Sequence, residues 1–497
     1  MRPAKSILLI TVDSLRADHT GFHGYSRPTT PFLDSLSAES VVFHNALVAG
    51  APTYYSFPAI LASRYPLALG RDVLGLAPGE PTLASALKDA GYATAAFSAG
   101  NPYLSARFGY DHGFDRFEDF LQTPTASPAP QPAAPRFSTS VNRAIQRAAS
   151  FSTPTQALYN ELYFQYCQRR VASQPSSYDQ LRRFPAADVL VEQARAWLAS
   201  LGDRPFFLWL HFMDPHSPYY PAEPALQLMG DSISSTEARY LNSFWLRSDL
   251  SAPGLLKHLA KITALYDAGI RWVDTQVSHL IGGLRRDQRW QDCVFAFTAD
   301  HGEEFLDHGG RYHPPNRLSE ELLRVPLLIR APGLSSNSTQ RSPFSLLHLA
   351  PTLLDAAGLS APAAFQGRSH WALLQRAEDW NAPAIAESVA GCTNPFHPEN
   401  RFGARVLAVR EGRYKLCLSL HSPLVADLFD LEADPAERLP LPTGEAREQR
   451  RRLLQLALAH VVQSRVQRDS RAQLAARLRD LQLEWANPDP VLQTTGL

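Results

Sequence analysis

Four clusters of polar residues in this 497-residue chain carry side chains that can bind a cation or attack an ester. Each cluster follows a short apolar run, and they lie at Val12–Ser14, Ser98–Asn101, His211–His216 and Thr298–Glu303. A single aspartate after a strand often serves only in a turn or a helix cap, but four such clusters together indicate an active site. If the runs are parallel strands, the clusters meet at the carboxyl edge of one sheet, where open α/β sheets bind their ligands.

Asp13, Asp300 and His301 are the candidate metal ligands. They offer two carboxylates and one imidazole, a donor set that suits a divalent cation. The imidazole favours Mn²⁺ or Zn²⁺, while Ca²⁺ and Mg²⁺, which prefer oxygen ligands, stay open as alternatives. Asp307 and His308 follow closely in the chain, before two glycines that allow the backbone to approach the site.

Thr53, within the segment Ala51–Leu61, is the candidate nucleophile and a further ligand of the cation. Its hydroxyl is expected at a helix N-terminus, where free N–H groups and the helix dipole favour an anion. A cation bound to that hydroxyl lowers its pKa and makes it a nucleophile near neutral pH. The alternative is a purely structural helix cap. The other polar clusters favour the nucleophile.

The elements that must position these residues alternate along the first 360 residues. The predicted strands are Ile7–Val12, Ala93–Ser98, Phe206–His211, Cys293–Thr298 and Val325–Arg330. The predicted helices include Thr82–Ala90, Ala186–Leu201, Ile262–Arg285 and Leu346–Ala357. Strands separated by helices predict an α/β fold with a largely parallel sheet and helices on both faces.

The sequence divides into three predicted regions. Residues 1–375 form the catalytic domain, with an insertion at 120–185 whose first part, 123–140, is rich in proline and reads as a surface excursion. Residues 376–440 form a small C-terminal subdomain, in which Val406–Arg410 and Tyr414–Ser419 make a hairpin. Residues 441–497 form a helical tail that offers a surface for homo-oligomerisation.

Composition excludes several classes of protein. The 48 Lys and Arg balance the 48 Asp and Glu, so no net charge attracts nucleic acid. No stretch reaches the roughly 20 apolar residues that a transmembrane helix needs. The apolar run Ile7–Val12 is too short for a secretory signal, and we expect a cytoplasmic protein. The four cysteines are widely spaced, which fits neither a disulfide scaffold nor a structural zinc site.

Several segments, in the right order, resemble landmarks of the sulfatase family. They are Ile10–Asp18, Thr30–Asp34, His211–Tyr219, Thr298–Glu303, Glu321–Ile329, Ala350–Asp355 and Leu428–Pro435. The resemblance covers roughly residues 5–440. It implies the alkaline-phosphatase superfamily fold, with a large mixed sheet and a metal at one of its edges. By the same resemblance, His216 matches the family's histidine that binds the anion or the leaving group.

The departures from the family pattern concern the nucleophile and the anion donors. Thr53 occupies the slot of the Cys or Ser that sulfatases oxidise to formylglycine, and threonine cannot give that aldehyde. Phe57 fills the slot of the motif's arginine, although Ser56 stays open as an offset nucleophile. The family's sulfate-holding lysines are missing, and Asn101 and His313 lie roughly where such donors are expected, so we count both as substrate-binding candidates.

The sequence therefore predicts a metal-dependent hydrolase that cleaves sulfate or phosphate monoesters or diesters through a covalent intermediate on Thr53. His216 or His313 donates a proton or hydrogen bond to the departing oxygen. A threonine nucleophile resembles the phosphoglycerol and phosphoethanolamine transferase branches, so head-group transfer is one alternative. A catalytically silent anion-binding protein is the other.

Overall fold

The computed structural model describes residues 5–71, 73–121, 147, 152–172, 176–420 and 425–480. Its strands, in chain order, are β1 (Ser6–Val12), β2 (Val41–Phe43), β3 (Ala46–Leu47), β4 (Ala93–Ser98), β5 (Arg116–Glu118), β6 (Phe206–Phe212), β7 (Cys293–Ala299), β8 (Glu304–Phe305), β9 (Arg311–Tyr312), β10 (Arg324–Val325), β11 (Leu327–Arg330), β12 (Ser338–Gln340), β13 (Phe344–Ser345), β14 (Ala384–Val389), β15 (Arg405–Glu411), β16 (Tyr414–Ser419) and β17 (Val425–Asp430).

The α-helices pack around these strands. In chain order they are α1 (Pro31–Ser37), α2 (Thr53–Ala62), α3 (Leu83–Asp89), α4 (Thr153–Ala172), α5 (Tyr178–Leu181), α6 (Ala187–Ala199), α7 (Glu223–Met229), α8 (Ser235–Trp245), α9 (Ala252–Arg286), α10 (Glu320–Leu323), α11 (Leu349–Ala356), α12 (Trp371–Gln375) and α13 (Arg447–Asp480). The longest of them in the catalytic region, α9, packs against α1, α6, α7 and α8. Among the described helices, none combines the length and hydropathy of a membrane-spanning segment.

The central sheet has eight strands in the order β12-β2-β11-β7-β1-β6-β4-β5. From β7 to β5 the strands are parallel, whereas β11 runs antiparallel to both β7 and β2. Strands β1, β6 and β7 consist almost wholly of buried residues, as expected for parallel strands covered on both faces. The predicted α/β fold with a mixed, mostly parallel sheet is confirmed.

The pairing of these strands brings the polar clusters to one edge. Val12 pairs with both Phe212 and Ala299, and Ser98 pairs with His211. Because each paired residue is the last or the last but one of its strand, the residues that follow them emerge side by side. The site is therefore set by the register of four parallel strands.

The C-terminal part contains an antiparallel sheet of four strands, in the order β14-β15-β16-β17. Helix α13 packs on β15 and β16, burying Leu453, Ala457 and Val461 against one face of this sheet. The predicted antiparallel C-terminal sheet and its hairpin are confirmed. The exact division into three regions stays a prediction, and residues 123–140 lie outside the described residues.

Two predicted elements differ from the structure. The run Val325–Arg330 is split into β10, which pairs with β3, and β11, which pairs with β7. Pro326 separates them because it has no N–H for the ladder. The helix predicted from Ile262 begins ten residues earlier, at Ala252, where Pro253 occupies the first turn, a position that proline favours.

Candidate active site

Asp13 lies at the centre of the carboxyl edge and is fully buried. Its Oδ1 accepts a hydrogen bond from Ser14 Oγ at 2.8 Å, and its Oδ2 accepts one from Asn101 Nδ2 at 2.9 Å. His211 Nε2 lies 3.4 Å from Oδ2, and His216 Nε2 lies 3.9 Å from Oδ1. Residues from two other predicted clusters, together with Ser14, thus surround the carboxylate of Asp13.

Four side chains present ligand atoms to one small volume. The ligand atoms of Asp13, His211 and Asp300 all lie within 4.8 Å of one another. His301 Nε2 joins them, 3.8 Å from Asp13 Oδ1 and 3.5 Å from Asp300 Oδ2. The structure therefore brings Asp13, Asp300 and His301, three of the four predicted ligands, together and adds His211, which the sequence analysis placed in a cluster but gave no role.

The hydrogen bonds of His301 and His211 show which ring nitrogen of each is available to a cation. His301 Nδ1 lies 2.8 Å from the carbonyl oxygen of Gly302, which can only accept, so Nδ1 carries the proton and Nε2 presents its lone pair. His211 Nδ1 contacts Thr11 Oγ1 at 3.0 Å, and its buried Nε2 has no hydrogen-bond partner in the described residues. A histidine held in this way by its outer nitrogen is typical of a metal ligand.

The carboxylates also fit a cation. Asp300 Oδ2 is buried and accepts no hydrogen bond in the described residues, while Oδ1 accepts from the backbone N–H groups of Ser14 and His301. Burial and the charge of Asp13 raise the pKa of Asp300 well above its usual value. Burial opposes ionisation of Asp13 too, but His216, His211 and His301 hold its pKa well below the usual range. A cation between the two carboxylates stabilises both in the charged form.

Thr53 is the first residue of α2, and its hydroxyl faces the same group of ligands. Its Oγ1 lies 3.5 Å from Asp13 Oδ2 and 3.2 Å from His301 Nε2. Pro52 is the N-cap residue, and no side chain caps the helix. The hydroxyl is therefore not used as a helix cap, which was the structural alternative for this residue.

The neighbours of Thr53 occupy other places. Ser56 Oγ donates to the carbonyl oxygen of Thr53 at 3.1 Å and is not among the residues that line the cavity above the ligands. The ring of Phe57 packs edge-on against His211, with ring centroids 5.0 Å apart. Where the family motif has an arginine, this chain thus has an apolar side chain that supports a histidine.

His216 and His313 stand beside the ligands. The ring of His313 lies 4.5 Å from that of His301 and 5.2 Å from that of His216, measured between centroids. Burial lowers the pKa of both His216 and His313, so both are mainly neutral at neutral pH. Glu303, whose pKa burial raises to about 8, lies 3.4 Å from His313 Nδ1.

A cavity of about 700 Å³ opens above this group. Thr53, His216, His313 and Asn101 line it, so four predicted site residues face one space. Both ends of the Asn101 amide are already engaged, since its Oδ1 accepts from the N–H of Tyr103 at 3.0 Å and its Nδ2 donates to Asp13. A role for Asn101 in substrate binding stays a prediction.

Asp307 and His308 follow the predicted ligands closely in the chain, but in the fold they pair with other residues. Asp307 pairs with Arg16 at 2.8 Å, and His308 pairs with Glu321 at 2.9 Å. Sequence reasoning missed His211 and Glu303 as members of the site. His211 carried a usable signal, because it ends the predicted strand Phe206–His211 and lies one residue before the end of β6, which pairs with β1. Nothing local separates Glu303 from Glu304.

Comparison with known proteins gives matches over most of the chain. The family model described as Sulfatase matches residues 5–359, and the one described as N-sulphoglucosamine sulphohydrolase, C-terminal, matches residues 311–463. The arylsulfatase of Clostridium perfringens is 25% identical over 479 residues, which cover 90% of this chain and 92% of that protein. The arylsulfatase K of Mus musculus is 26% identical over 277 residues, so the match spans only 49% of its length.

A solved structure shares the fold. The phosphonate monoester hydrolase of Agrobacterium radiobacter superposes with a TM-score of 0.65 at 19% identity, covering 93% of this chain and 96% of that one. At this level of identity the likeness concerns the fold alone.

Proposed function

The chain belongs to the sulfatase family, and from that membership we propose that it hydrolyses sulfate or phosphate esters through a covalent intermediate on Thr53. The observation that supports this most directly is the position of the Thr53 hydroxyl. It lies at the N-terminus of α2 and within 3.5 Å of both Asp13 and His301. A hydroxyl so placed is close to the ligands of a cation and to free N–H groups that favour an anion.

Asp13, Asp300, His301 and His211 would hold the divalent cation. When bound, the cation supplies charge that lowers the pKa of the Thr53 hydroxyl and offsets negative charge on the ester. The protein's own share is to fix these side chains before substrate arrives: Asn101 and Ser14 orient Asp13, and the Gly302 carbonyl orients His301. Such preorganisation reduces the reorganisation required during the reaction.

The two histidines on the cavity wall act on the leaving group. The Thr53 hydroxyl loses its proton to water, and Oγ1 forms a bond to sulfur or phosphorus as the bond to the leaving oxygen breaks. His216 Nδ1 is held by the Ser217 carbonyl, so Nε2 faces the site, and the negative charge of a bound ester raises the pKa of His216. His216 or His313 then donates a proton or hydrogen bond to the leaving oxygen, and water cleaves the threonyl ester.

The identity of the nucleophile favours phosphate esters. A formylglycine hydrate can expel sulfate by elimination, because the adduct carries a second hydroxyl on the same carbon. A sulfated or phosphorylated threonine has no such hydroxyl and must be hydrolysed at sulfur or phosphorus. We therefore propose phosphate monoesters or diesters as the better substrates.

A rate panel tests this function. Purified protein with Mn²⁺ is assayed on an aryl sulfate, an aryl phosphate monoester and a bis-aryl phosphate diester. Thr53→Ala is expected to lower the dominant rate by about 10³-fold or more, as loss of a covalent nucleophile does, while the fold and bound metal are retained. Ser56→Ala, the matched control one turn along α2, is expected to keep the wild-type rate.

Each result has a distinct meaning. A dominant rate on the sulfate would overturn the preference for phosphorus, and a wild-type rate in Thr53→Ala would overturn the covalent threonine. Loss of the rate in Ser56→Ala alone would transfer the role to Ser56. Release of the head group only in the presence of an acceptor alcohol would indicate transfer instead of hydrolysis.

Three further properties stay predictions. They are a cytoplasmic location, Mn²⁺ or Zn²⁺ as the native cation, and self-association through the tail. Helix α13 uses one side to cover the C-terminal sheet, and its side chains Leu458 and Val462 are exposed. Those exposed apolar side chains support the proposed self-association. Sedimentation of the full chain and of a double variant, Leu458→Glu with Val462→Glu, would test it.

A further inference from the structure

The wall of the active-site cavity contains two arginines and no carboxylate within the described residues. We propose, resting on the proposed function, that Arg311 and Arg183 bind a second negatively charged group on the leaving-group side of the substrate. The substrate class is then a sulfate or phosphate ester whose leaving alcohol carries a ring and an additional anionic substituent. The argument depends mainly on Arg311.

Arg311 is held in place without an acidic partner. Its Nη1 donates a hydrogen bond to the carbonyl oxygen of Trp245, and its guanidinium lies 6.0 Å from the ring centres of both Trp245 and Tyr312. No ion pair to a described carboxylate involves it. A half-buried guanidinium fixed by a neutral carbonyl and aromatic rings keeps its charge and most of its donors for a ligand.

Three consecutive residues, Arg311, Tyr312 and His313, line the cavity. Arg311 and His313 are two apart and share a face in an extended strand, whereas regular alternation would turn Tyr312 to the opposite face. Tyr312 has φ of +67°, a left-handed conformation that is unfavourable for a tyrosine. This single residue breaks the alternation, so that the tyrosine lines the cavity beside the arginine and the histidine.

The turn before Tyr312 is anchored strongly enough to hold that conformation. Glu304 is fully buried, and its Oε1 accepts hydrogen bonds from the backbone N–H groups of His308 at 3.0 Å and Gly310 at 2.7 Å. Arg317 donates to the same oxygen at 2.6 Å. Strained residues supported in this way are common at ligand sites, where the strain places a functional group.

Arg311 lies close in the chain to a residue that contacts the metal ligands. His313 touches the group of metal ligands through its contact with His301. Arg311 is two residues away, so its Cα lies at most about 7 Å from that of His313. The two residues are therefore neighbours on the cavity wall.

The remaining wall supports the same substrate class. Tyr54, Tyr103 and Phe184 line the cavity together with Tyr312, and they provide flat apolar surface for a ring. Arg183 is exposed at the cavity wall and makes no ion pair with a described carboxylate. It therefore adds a second positive charge to the region that the substituent of the ring would reach.

Binding of paired probes tests the proposal without turnover. The probes are the 4-carboxyphenyl and 4-carbamoylphenyl esters of phosphate, with the 3-substituted pair as a second geometry, and they are titrated by calorimetry into Thr53→Ala protein with Mn²⁺. Both members of a pair carry the same phosphate and nearly the same shape. The carboxylate is expected to improve Kd by about 10- to 100-fold over the amide, as a charge-assisted arginine contact does.

Arginine variants in the same background identify the source of the difference. Adding Arg311→Gln is expected to bring the ratio of the two Kd values close to one, with the amide's Kd changed less than about threefold. Arg183→Gln should lower the ratio by a smaller factor that shrinks in added salt, because its charge is exposed. Arg376→Gln, an equal change of charge outside the cavity, should leave the ratio unchanged.

The outcomes separate this inference from the proposed function. A ratio near one in the Thr53→Ala protein for both probe geometries, or a ratio that neither cavity variant lowers, would overturn the second anion site. If wild-type protein hydrolyses none of the probes while the ratio still depends on Arg311, the proposed hydrolysis fails and the binding inference holds.

Discussion

Two regions of the molecule bury several charged side chains, but only one of them pairs its carboxylates with lysine and arginine. At the junction between the catalytic region and the C-terminal sheet, Lys415 contacts Glu320 at 3.1 Å and Glu437 at 2.8 Å. Arg410 contacts Glu320 at 2.7 Å. Two cations therefore meet two anions. At the carboxyl edge of the main sheet, Asp13 and Asp300 have no lysine or arginine beside them among the described residues.

The pKa values of one carboxyl group from each region, Glu320 and Asp300, reflect this difference. Burial raises the pKa of Glu320, but Lys415 and Arg410 outweigh it and bring the value down to about 2. Burial and the neighbouring Asp13 raise the pKa of Asp300. The junction pairs its charges within the protein, whereas the carboxylates at the edge have no lysine or arginine partner among the described residues. Buried charge thus indicates function here only where its partner is missing.

The largest expected effect comes from removing one carboxylate at the carboxyl edge of the main sheet. Asp300→Asn should remove the bound metal and lower the hydrolytic rate by about 10³-fold or more, because it removes a charged ligand. The metal-free variant should be at least as stable as metal-free wild type, since the lost carboxylate oxygen has no partner. Elemental analysis and denaturant unfolding check both points, and stoichiometric metal in the variant would contradict the ligand assignment.

The next largest effect comes from removing a buried cation at the junction, a change that does not touch the candidate active site. Lys415→Met leaves Glu437 and part of Glu320 without a cation, so the free energy of unfolding should fall by about 3–5 kcal/mol. Lys88→Met removes an exposed pair with Asp115 and should cost less than about 1 kcal/mol. Urea unfolding measures both. Equal losses in the two variants would show that the junction does not depend on its buried pairing.

A smaller effect sharpens the description of the edge. His211→Gln should raise the Kd for Mn²⁺ by about 10- to 100-fold, because Asp13, Asp300 and His301 remain while a buried imidazole is lost. His397→Gln, an exposed histidine, serves as the control. Titration with a metal indicator gives both constants, and an unchanged Kd in His211→Gln would leave His211 as a packing residue against Phe57.

The smallest effect concerns His308, whose Nε2 lies 3.3 Å from the carbonyl oxygen of Glu437 at the junction. Its hydrogen bond to Glu321 raises its pKa from 6.5 to about 9. Because the folded state holds the proton more tightly, this stabilisation is fully present below about pH 6.5 and is lost as the pH rises through about 9. The stability difference between wild type and His308→Gln should shrink over that interval in urea melts. A constant difference would contradict the pKa shift.

The catalytic region was more open to prediction than the junction. Strand-ending polar clusters, spaced along apolar runs, indicated Asp13, Asp300 and His301 before any coordinates, and the parallel pairing of β1, β6 and β7 brought them together. The junction carried no such signal. Glu320, Lys415 and Glu437 lie far apart in the chain, and each has the appearance of an ordinary surface charge in its local sequence.

The sequence by itself determined the α/β class, the succession of the main strands along the chain and the family, because periodicity and short motifs are local properties of the chain. Only the tertiary structure decided which nitrogen of His301 faces the carboxylates, that His211 joins the ligands, and that Arg311 lines the cavity. The first depends on the ring of His301 turning Nδ1 to the Gly302 carbonyl, the second on the register of β6 beside β1, and the third on the contact of Arg311 with Trp245. Each depends on how side chains pack in the folded chain, which local sequence does not encode.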